Sequence, residues 1–275
     1  MNGANSETVL ITGASSGIGL ELAKCFAADG CRLVLVARNT QALESLADEL
    51  RRRHNVEAHV LTADLSGSET PSRLFKEMQG RGIPVDVLVN NAAFGDWGRF
   101  AELELPRQLE MLQVNITALV HLAGLFLPGM LQRRCGGILN VASVAGFVPG
   151  PGMATYYATK ACVLSFTEAL AEELAGTGVI VTALCPGPTT TNFGNAAHIA
   201  KERRKFRIAT MSAEAVAKDG HRAFRRGKVV AVPGLHNRLI IFFSRLLPRS
   251  IVRKGAAKSN GIPGSPKKPV KLAKN

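Results

Sequence analysis

The sequence predicts an α/β protein: a single domain on a doubly wound, parallel, seven-stranded sheet. Three observations carry this. Apolar runs of strand length recur at 9–12, 32–37, 57–62, 86–90, 137–142, 178–184 and 228–232. Segments with apolar residues at helical spacing lie between them, and strand alternating with helix implies a parallel sheet covered on both faces. The first run passes directly into a glycine-rich turn and then a helix. A length of 275 residues suits one such domain, and 46% hydrophobic residues are ample for its core.

The first run, Val9-Leu10-Ile11, has the unbroken apolar character of a buried parallel strand. Thr12-Gly13-Ala14-Ser15-Ser16-Gly17-Ile18-Gly19 follows it, and the helix begins near Leu20. Glycines in such a turn let the backbone approach a pyrophosphate, and the helix N-terminus offers free N–H groups and a positive dipole end. The spacing is G-x-x-x-G-x-G rather than the common G-x-G-x-x-G. An ordinary tight turn is the plain alternative. The second strand, Leu33 to Val36, ends in Ala37-Arg38-Asn39. Sites selective for NAD place an acid about 20 residues beyond the glycine turn, against the ribose 2′-hydroxyl. No carboxylate stands at this strand end, and the Arg38 guanidinium is well shaped for a 2′-phosphate. The expected cofactor is NADP(H) in preference to NAD(H); a solvated strand-end charge is the alternative for Arg38.

Further motifs follow at the strand ends. Ala63-Asp64-Leu65 comes after the third run and Asn90-Asn91-Ala92-Ala93 after the fourth. Val114-Asn115-Ile116 lies in the next helical stretch, and Ile138 to Ser143 closes the fifth run. Tyr156-Tyr157-Ala158-Thr159-Lys160 and Pro186-Gly187-Pro188-Thr189 complete the series, with Ser143 thirteen residues before Tyr156. Together with the turn, these motifs resemble the short-chain dehydrogenase/reductase family over about residues 8 to 232. The resemblance implies a Rossmann-type fold with its active site at the carboxyl ends of the strands. It implies that Gly13, Ser15, Ser16, Gly17, Ile18 and Gly19 form the cofactor's turn, with Asp64 and Leu65 on the adenine side. It places Asn91, Ala92 and Ala93 by the nicotinamide ribose, and Pro186, Gly187 and Thr189 over the nicotinamide. Ala93 stands where the family keeps glycine, so backbone approach to that ribose is expected to be slightly altered.

Hydride transfer to a carbonyl leaves an oxyanion that must be protonated. A tyrosine with an ordinary pKa near ~10 is a poor acid–base group at neutral pH. A lysine one helical turn away, with the positive nicotinamide ring, favours the phenolate. Positions i and i+4 share a helix face, so Tyr156 and Lys160 converge. Tyr157, at i+3, meets the spacing as well; the family motif alone selects Tyr156. The resemblance makes Ser143 the hydrogen-bond donor to the carbonyl oxygen. It gives Lys160 a second role on the nicotinamide ribose and places a relay water on Asn115, although an asparagine in a helix can simply satisfy local backbone groups. Phe94, Trp97, Phe147, Val148, Met153 and Phe193 fall in the family's pocket-forming segments and imply a hydrophobic ketone or alcohol substrate, though each also suits a plain core. Residues 195–207 are expected to form a lid, with Lys201-Glu202-Arg203-Arg204-Lys205 read as a solvated helix face, the alternative being contact with an anionic substrate.

Charge is unevenly distributed. The net charge is +13, from 34 basic and 21 acidic residues. No Asp or Glu follows Asp219, whereas 14 Lys and Arg do, so the preceding part has 20 basic against 21 acidic residues, a net of −1. Three regions result: a catalytic domain at 1–232, an apolar, arginine-rich segment at 233–253, and a basic tail at 254–275 that reads as disordered. Arg238, Arg245, Arg249 and Arg253 fall on nearly one helical face, and Pro248 should break or kink any helix there. The segment either lies on an anionic membrane surface or folds back onto its own subunit and closes a pocket. It is too short and too charged to span a bilayer.

Two other classes of function are disfavoured. A catalytically inactive binding protein would not need Asn115, Ser143, Tyr156 and Lys160 intact, and nucleic-acid binding through the tail would need a reading helix or an aromatic platform. Five cysteines without a C-x-x-C suggest neither a disulfide framework nor a metal site. They read as buried free thiols in a reducing compartment. No basic and apolar leader precedes the first strand, so the expected location is cytoplasmic, at most peripheral at the inner membrane face. The resemblance implies a homodimer or homotetramer through the helices containing Asn115 and Tyr156. Their Leu119, Leu122, Leu125, Ala161, Leu164, Phe166 and Leu170 are candidates for apolar surface left uncovered by one subunit.

Overall fold

The computed structural model describes residues 7–191, 193, 197 and 210–262. The strands are β1 (Thr8–Thr12), β2 (Arg32–Ala37), β3 (Ala58–Thr62), β4 (Val87–Asn90), β5 (Gly137–Val141) and β6 (Ile180–Leu184). A short β7 (Thr189–Thr190) and β8 (Met211–Ser212) pair with each other, and β9 (Val230–Ala231) closes the main sheet. That sheet has seven parallel strands in the order β3-β2-β1-β4-β5-β6-β9. The chain builds outward from β1 to β3, then returns to lay β4 on the other side of β1. This reversal opens a crevice at the carboxyl ends of β1 and β4. The observed β6 and β9 are shorter than the runs at 178–184 and 228–232. Gly178 sits at φ +90°, in a turn that ends before the strand begins.

The helices are α1 (Gly17–Ala28), α2 (Thr40–His54), α3 (Thr70–Gly80), α4 (Leu105–Leu112), α5 (Ala118–Arg133), α6 (Ala154–Glu173), α7 (Ala213–Arg225), α8 (Leu235–Leu246) and α9 (Arg249–Ser259). Strand alternation divides the core in two. Val9 and Ile11 of β1 pack with Leu22, Phe26, Leu43 and Phe224 on one face. Leu10 points to the other, against Leu74, Leu122 and Phe126. Both sides of each central strand are buried, which is why these strands read as continuous apolar runs rather than alternating ones. The helical run Leu105–Arg133 is long and apolar enough to cross a membrane. Its Leu122, Phe126 and Met130 are buried on the sheet.

Three expectations need correction. Leu119, Leu122, Leu164 and Leu170 face the sheet and are already buried within one subunit. The apolar side chains left on the outer face of α4 and α5 are instead Leu105, Leu109, Leu112 and Val120. Of the five free cysteines, Cys135 and Cys162 are exposed, Cys162 on the outer face of α6. Finally, α9 continues to Ser259, six residues into the stretch read as tail. Pro248 does break the segment, with φ −53° and ψ 136°, so α8 and α9 are separate helices and the four arginines share no single face. Residues 263–275 lie outside the described part.

A buried polar ladder ties the sheet to α6. Asn90 Nδ2 donates to Asn140 Oδ1 at 3.0 Å, Asn140 Nδ2 to Thr167 Oγ1 at 3.0 Å, and Thr167 Oγ1 to Val163 O at 2.5 Å. Asn140 and Thr167 are fully buried, so each needs its partner. Asn140→Ala leaves the Asn90 amide and the Thr167 hydroxyl short of a partner and should lower folding stability by about 2–3 kcal/mol, read from the urea midpoint at unchanged m. An unshifted midpoint would show that the ladder contributes nothing.

Candidate active site

A cavity of about 1350 Å³ lies over the carboxyl ends of the strands. Its floor is the glycine turn. Gly13 and Gly17 take φ +67° and +58°, the left-handed region that favours glycine. A Cβ on Gly13 would stand 2.9 Å from Ala92 Cα, and one on Gly19 would stand 2.4 Å from Gly13 O. The end of β4 clamps this turn. Asn91 Nδ2 donates to Thr12 O at 2.9 Å and to Gly13 O at 3.1 Å, while Thr12 Oγ1 accepts from the N–H groups of Asn91 and Ala92. No side chain caps the start of α1, so its first-turn N–H groups are left for a ligand.

Every expected cofactor residue lines this cavity except Gly19: Gly13, Ser15, Ser16, Gly17, Ile18, Arg38, Asp64, Leu65, Asn91, Ala92, Ala93, Tyr156, Lys160, Pro186, Gly187 and Thr189 do so. Gly19 is buried behind Gly13, where its missing side chain allows the turn and helix to touch. At the rim, Arg38 Nη1 stands 3.8 Å from Asp64 Oδ2, both side chains being more than half exposed. The Ser66 N–H, bonded to Asp64 Oδ1 at 2.9 Å, chiefly holds the Asp64 carboxyl below its ordinary range; Arg38 adds to this.

Ser143, Tyr156 and Lys160 converge on one cavity wall. Ser143 follows β5 in extended backbone; its Oγ donates to Pro186 O at 3.3 Å and accepts from the Ala145 N–H. Lys160 is buried, its Nζ donating to Val141 O at 2.7 Å and lying 5.8 Å from the centre of the Tyr156 ring. The two tyrosines separate here. Tyr157 turns its hydroxyl to Asn260 Oδ1 at 3.4 Å, whereas the Tyr156 ring lies against Phe193 and beneath the reach of Lys160. Asn115 does not line the cavity. It sits in a π-helical turn, Gln113–Thr117, between α4 and α5. Its Nδ2 donates to Phe94 O at 2.9 Å and Thr159 Oγ1 at 3.1 Å, and its Oδ1 accepts from the Phe94 N–H. Both amide protons are thus committed to pinning the loop after β4 onto α6.

Phe94, Trp97, Val148, Met153 and Phe193 line the cavity. Phe147 does not: it packs beside Leu119 and Val163, under the Arg245 guanidinium at 5.7 Å. The wall missing from the motif reading comes from α8, α9 and the link between them, including Ile241, Phe243, Leu247 and Val252. A latch holds it shut. Trp97 Nε1 donates to Asn260 O at 3.0 Å, and Asn260 Nδ2 donates to Pro151 O at 3.0 Å. The signal was present in the apolar stretch after Gly234, but nothing local to it says what it packs against. The expected lid at 195–207 and its basic run lie outside the described residues, Ala197 apart.

A model of the short chain dehydrogenase family matches residues 7–202. The chain is 33% identical over 178 residues to a 3-oxoacyl-(acyl-carrier-protein) reductase of Aquifex aeolicus, covering 65% of this chain and 72% of that one. Among solved structures, it resembles a short-chain dehydrogenase from Sphingobium yanoikuyae in complex with NADPH: TM-score 0.79, 34% identity, 87% of this chain and 93% of the other. A bulky-bulky ketone specific alcohol dehydrogenase from Comamonas testosteroni gives a TM-score of 0.74 at 31% identity, over 88% and 94% of the two chains.

The chain belongs to the short-chain dehydrogenase/reductase family. It is an oxidoreductase, and in this short-chain dehydrogenase Lys160 is a strongly perturbed site group. Burial pushes its pKa from 10.5 down to about 8, with only a small opposing pull from Cys185. Cys185 itself is pushed up to about 12, also by burial, so it is a neutral thiol and no counter-ion at neutral pH.

A folded-state pKa below the unfolded one means that the unfolded chain binds more protons between about 8 and 10.5. Burying Lys160 therefore costs stability that is fully felt below pH 8 and relieved as pH rises towards 10.5. Its size is on the order of 3 kcal/mol. Lys160→Met should make the ligand-free protein more resistant to urea at pH 7, by a margin that narrows above pH 8. A pH-independent difference, or a less stable variant at pH 7, would show that burial is not what sets this lysine.

Proposed function

We propose that this short-chain dehydrogenase interconverts a bulky, apolar ketone and its alcohol with NADP(H). The observation that carries the reading is that Ser143, Tyr156 and Lys160 stand on one wall of the same cavity whose floor is the glycine turn. The residues fit a dinucleotide: Gly13 and Gly19, with no Cβ, let the turn close against the end of β4 and the helix, and the open end of α1 suits the charge of a pyrophosphate. Arg38 at the rim and the absence of an acid at the end of β2 favour a 2′-phosphate. The NADPH complex of the Sphingobium protein and the ketone preference of the Comamonas enzyme support the same reading.

When bound, the nicotinamide supplies or accepts the hydride. The chain's own groups do the rest. Ser143 Oγ turns from Pro186 O to donate a hydrogen bond to the substrate oxygen, where charge develops. The Tyr156 phenol gives its proton to that oxygen in reduction and takes it back in oxidation. Lys160, held in place by Val141 O, favours the phenolate form. Trp97, Met153 and Phe193 keep water from the reacting carbon. The outer faces of α4 and α5, with Leu109, Leu112 and Val120 exposed, support self-association of the subunits. Five free thiols support a reducing, cytoplasmic setting.

Tyr156→Phe should reduce turnover of a carbonyl substrate by about 10²–10⁴-fold while NADPH binding survives. Tyr157→Phe, which loses only the bond to Asn260, should keep most of its turnover. The reverse pattern would reassign the acid. Arg38→Asp should weaken NADPH binding by about tenfold or more and leave NADH little affected, measured by fluorescence titration. Equal affinities of the unaltered protein for the two nucleotides would contradict the assignment of Arg38.

A further inference from the structure

The outward side of α8 is apolar. Leu235, Leu239, Phe242, Phe243 and Leu246 recur at i, i+4, i+7, i+8 and i+11, and are between 48% and 70% exposed. The opposite side, Asn237 and Ile241, is buried, with Asn237 packed on Gly187. A helix on the surface of a water-soluble domain ordinarily turns polar residues outward; this one turns apolar residues outward. Exposed Arg238 and Arg245 flank the outer face, and α9 adds exposed Arg249, Arg253, Lys254 and Lys258.

We propose that α8 and α9 dock the protein on an anionic lipid surface, and that the cavity behind them takes its apolar substrate from that surface. The second half rests on the function proposed above; the first does not. Charge selects the occupant. The last 56 residues hold 14 basic side chains and no acid, while the rest of the chain has a net charge of −1. A second copy meeting this face would set cation against cation, whereas anionic headgroups complement it. Five exposed apolar side chains beside a basic rim are the pattern of a helix lying in the interface, and twelve residues are too few to span it. The same helices join outside to inside. Leu239, Ile240, Phe243, Leu247 and Ile251 are exposed and also line the cavity, so an apolar path leads from the docked face to Tyr156.

The test is sedimentation of the full-length protein with vesicles of phosphatidylcholine alone or mixed with phosphatidylglycerol, at low and high salt. Leu235, Phe242 and Leu246 do not line the cavity, so Leu235→Ser/Phe242→Ser/Leu246→Ser probes the face alone. The unaltered protein should bind the anionic vesicles, less so in high salt, and the triple variant should bind at least about tenfold more weakly. Turnover of a water-soluble ketone should be equal in the two proteins, while turnover of a long-chain ketone dissolved in anionic vesicles should fall in the variant. Failure of the unaltered protein to bind overturns the docking. So does binding that the triple variant retains, which would be plain polyanion attraction. Conversion of a dimer to monomers by the variant, without vesicle binding, would make a second copy the occupant and overturn it as well. Vesicle binding in a protein that turns over no carbonyl compound would remove the proposed function and the substrate route while leaving the docking in place.

Discussion

The structure depends on a close backbone contact between the ends of β1 and β4. The sheet reverses its winding there, and the Asn91 amide bonds the carbonyl oxygens of Thr12 and Gly13 across the gap. A side chain on Gly13 or Gly19 would force the two apart. The contact gives the turn its shape and sets the open end of α1 beneath the cavity. It also fixes where the loop after β4 starts, and so where Phe94 meets Asn115.

From that contact the catalytic wall is assembled by buried polar groups. The ladder from Asn90 through Asn140 to Thr167 locks β4 and β5 to α6. Asn115 fastens the same helix to the loop after β4 through Thr159. With α6 held at two points, Lys160 is driven into the interior, where Val141 O accepts from its ammonium. The cost of that burial is the physical source of its depressed pKa. A site that keeps so unfavourable a lysine spends stability on function.

Much of the fold was legible in the sequence because β1, β2, β4 and β5 are buried on both faces and so read as apolar runs. The strand ends were less so: Gly178 ends its turn in a way that hydropathy does not mark. The site's residue types were legible, but not which of them face the cavity. Gly19 and Asn115 stand in the motifs and act from behind the wall; Phe147 follows Ser143 closely and packs away from it. Tyr156 and Tyr157 could not be separated by spacing, since the partner that occupies Tyr157 is Asn260, 103 residues on. The same long-range contact hid the wall made by α8 and α9. An apolar, arginine-bearing stretch carries no local record of whether it covers a pocket, meets a membrane, or does both.

The central claim is that this cavity brings a transferable hydride to a ketone carbon beside Tyr156. The most direct measurement supplies NADPH deuterated at the transferable position of the nicotinamide, with a bulky apolar ketone, and examines the product by mass spectrometry. The account predicts an alcohol carrying a single deuterium on the carbinol carbon, formed in proportion to the NADPH oxidised. Oxidation of NADPH without labelled alcohol, or no reaction across apolar ketones of increasing bulk, would contradict it.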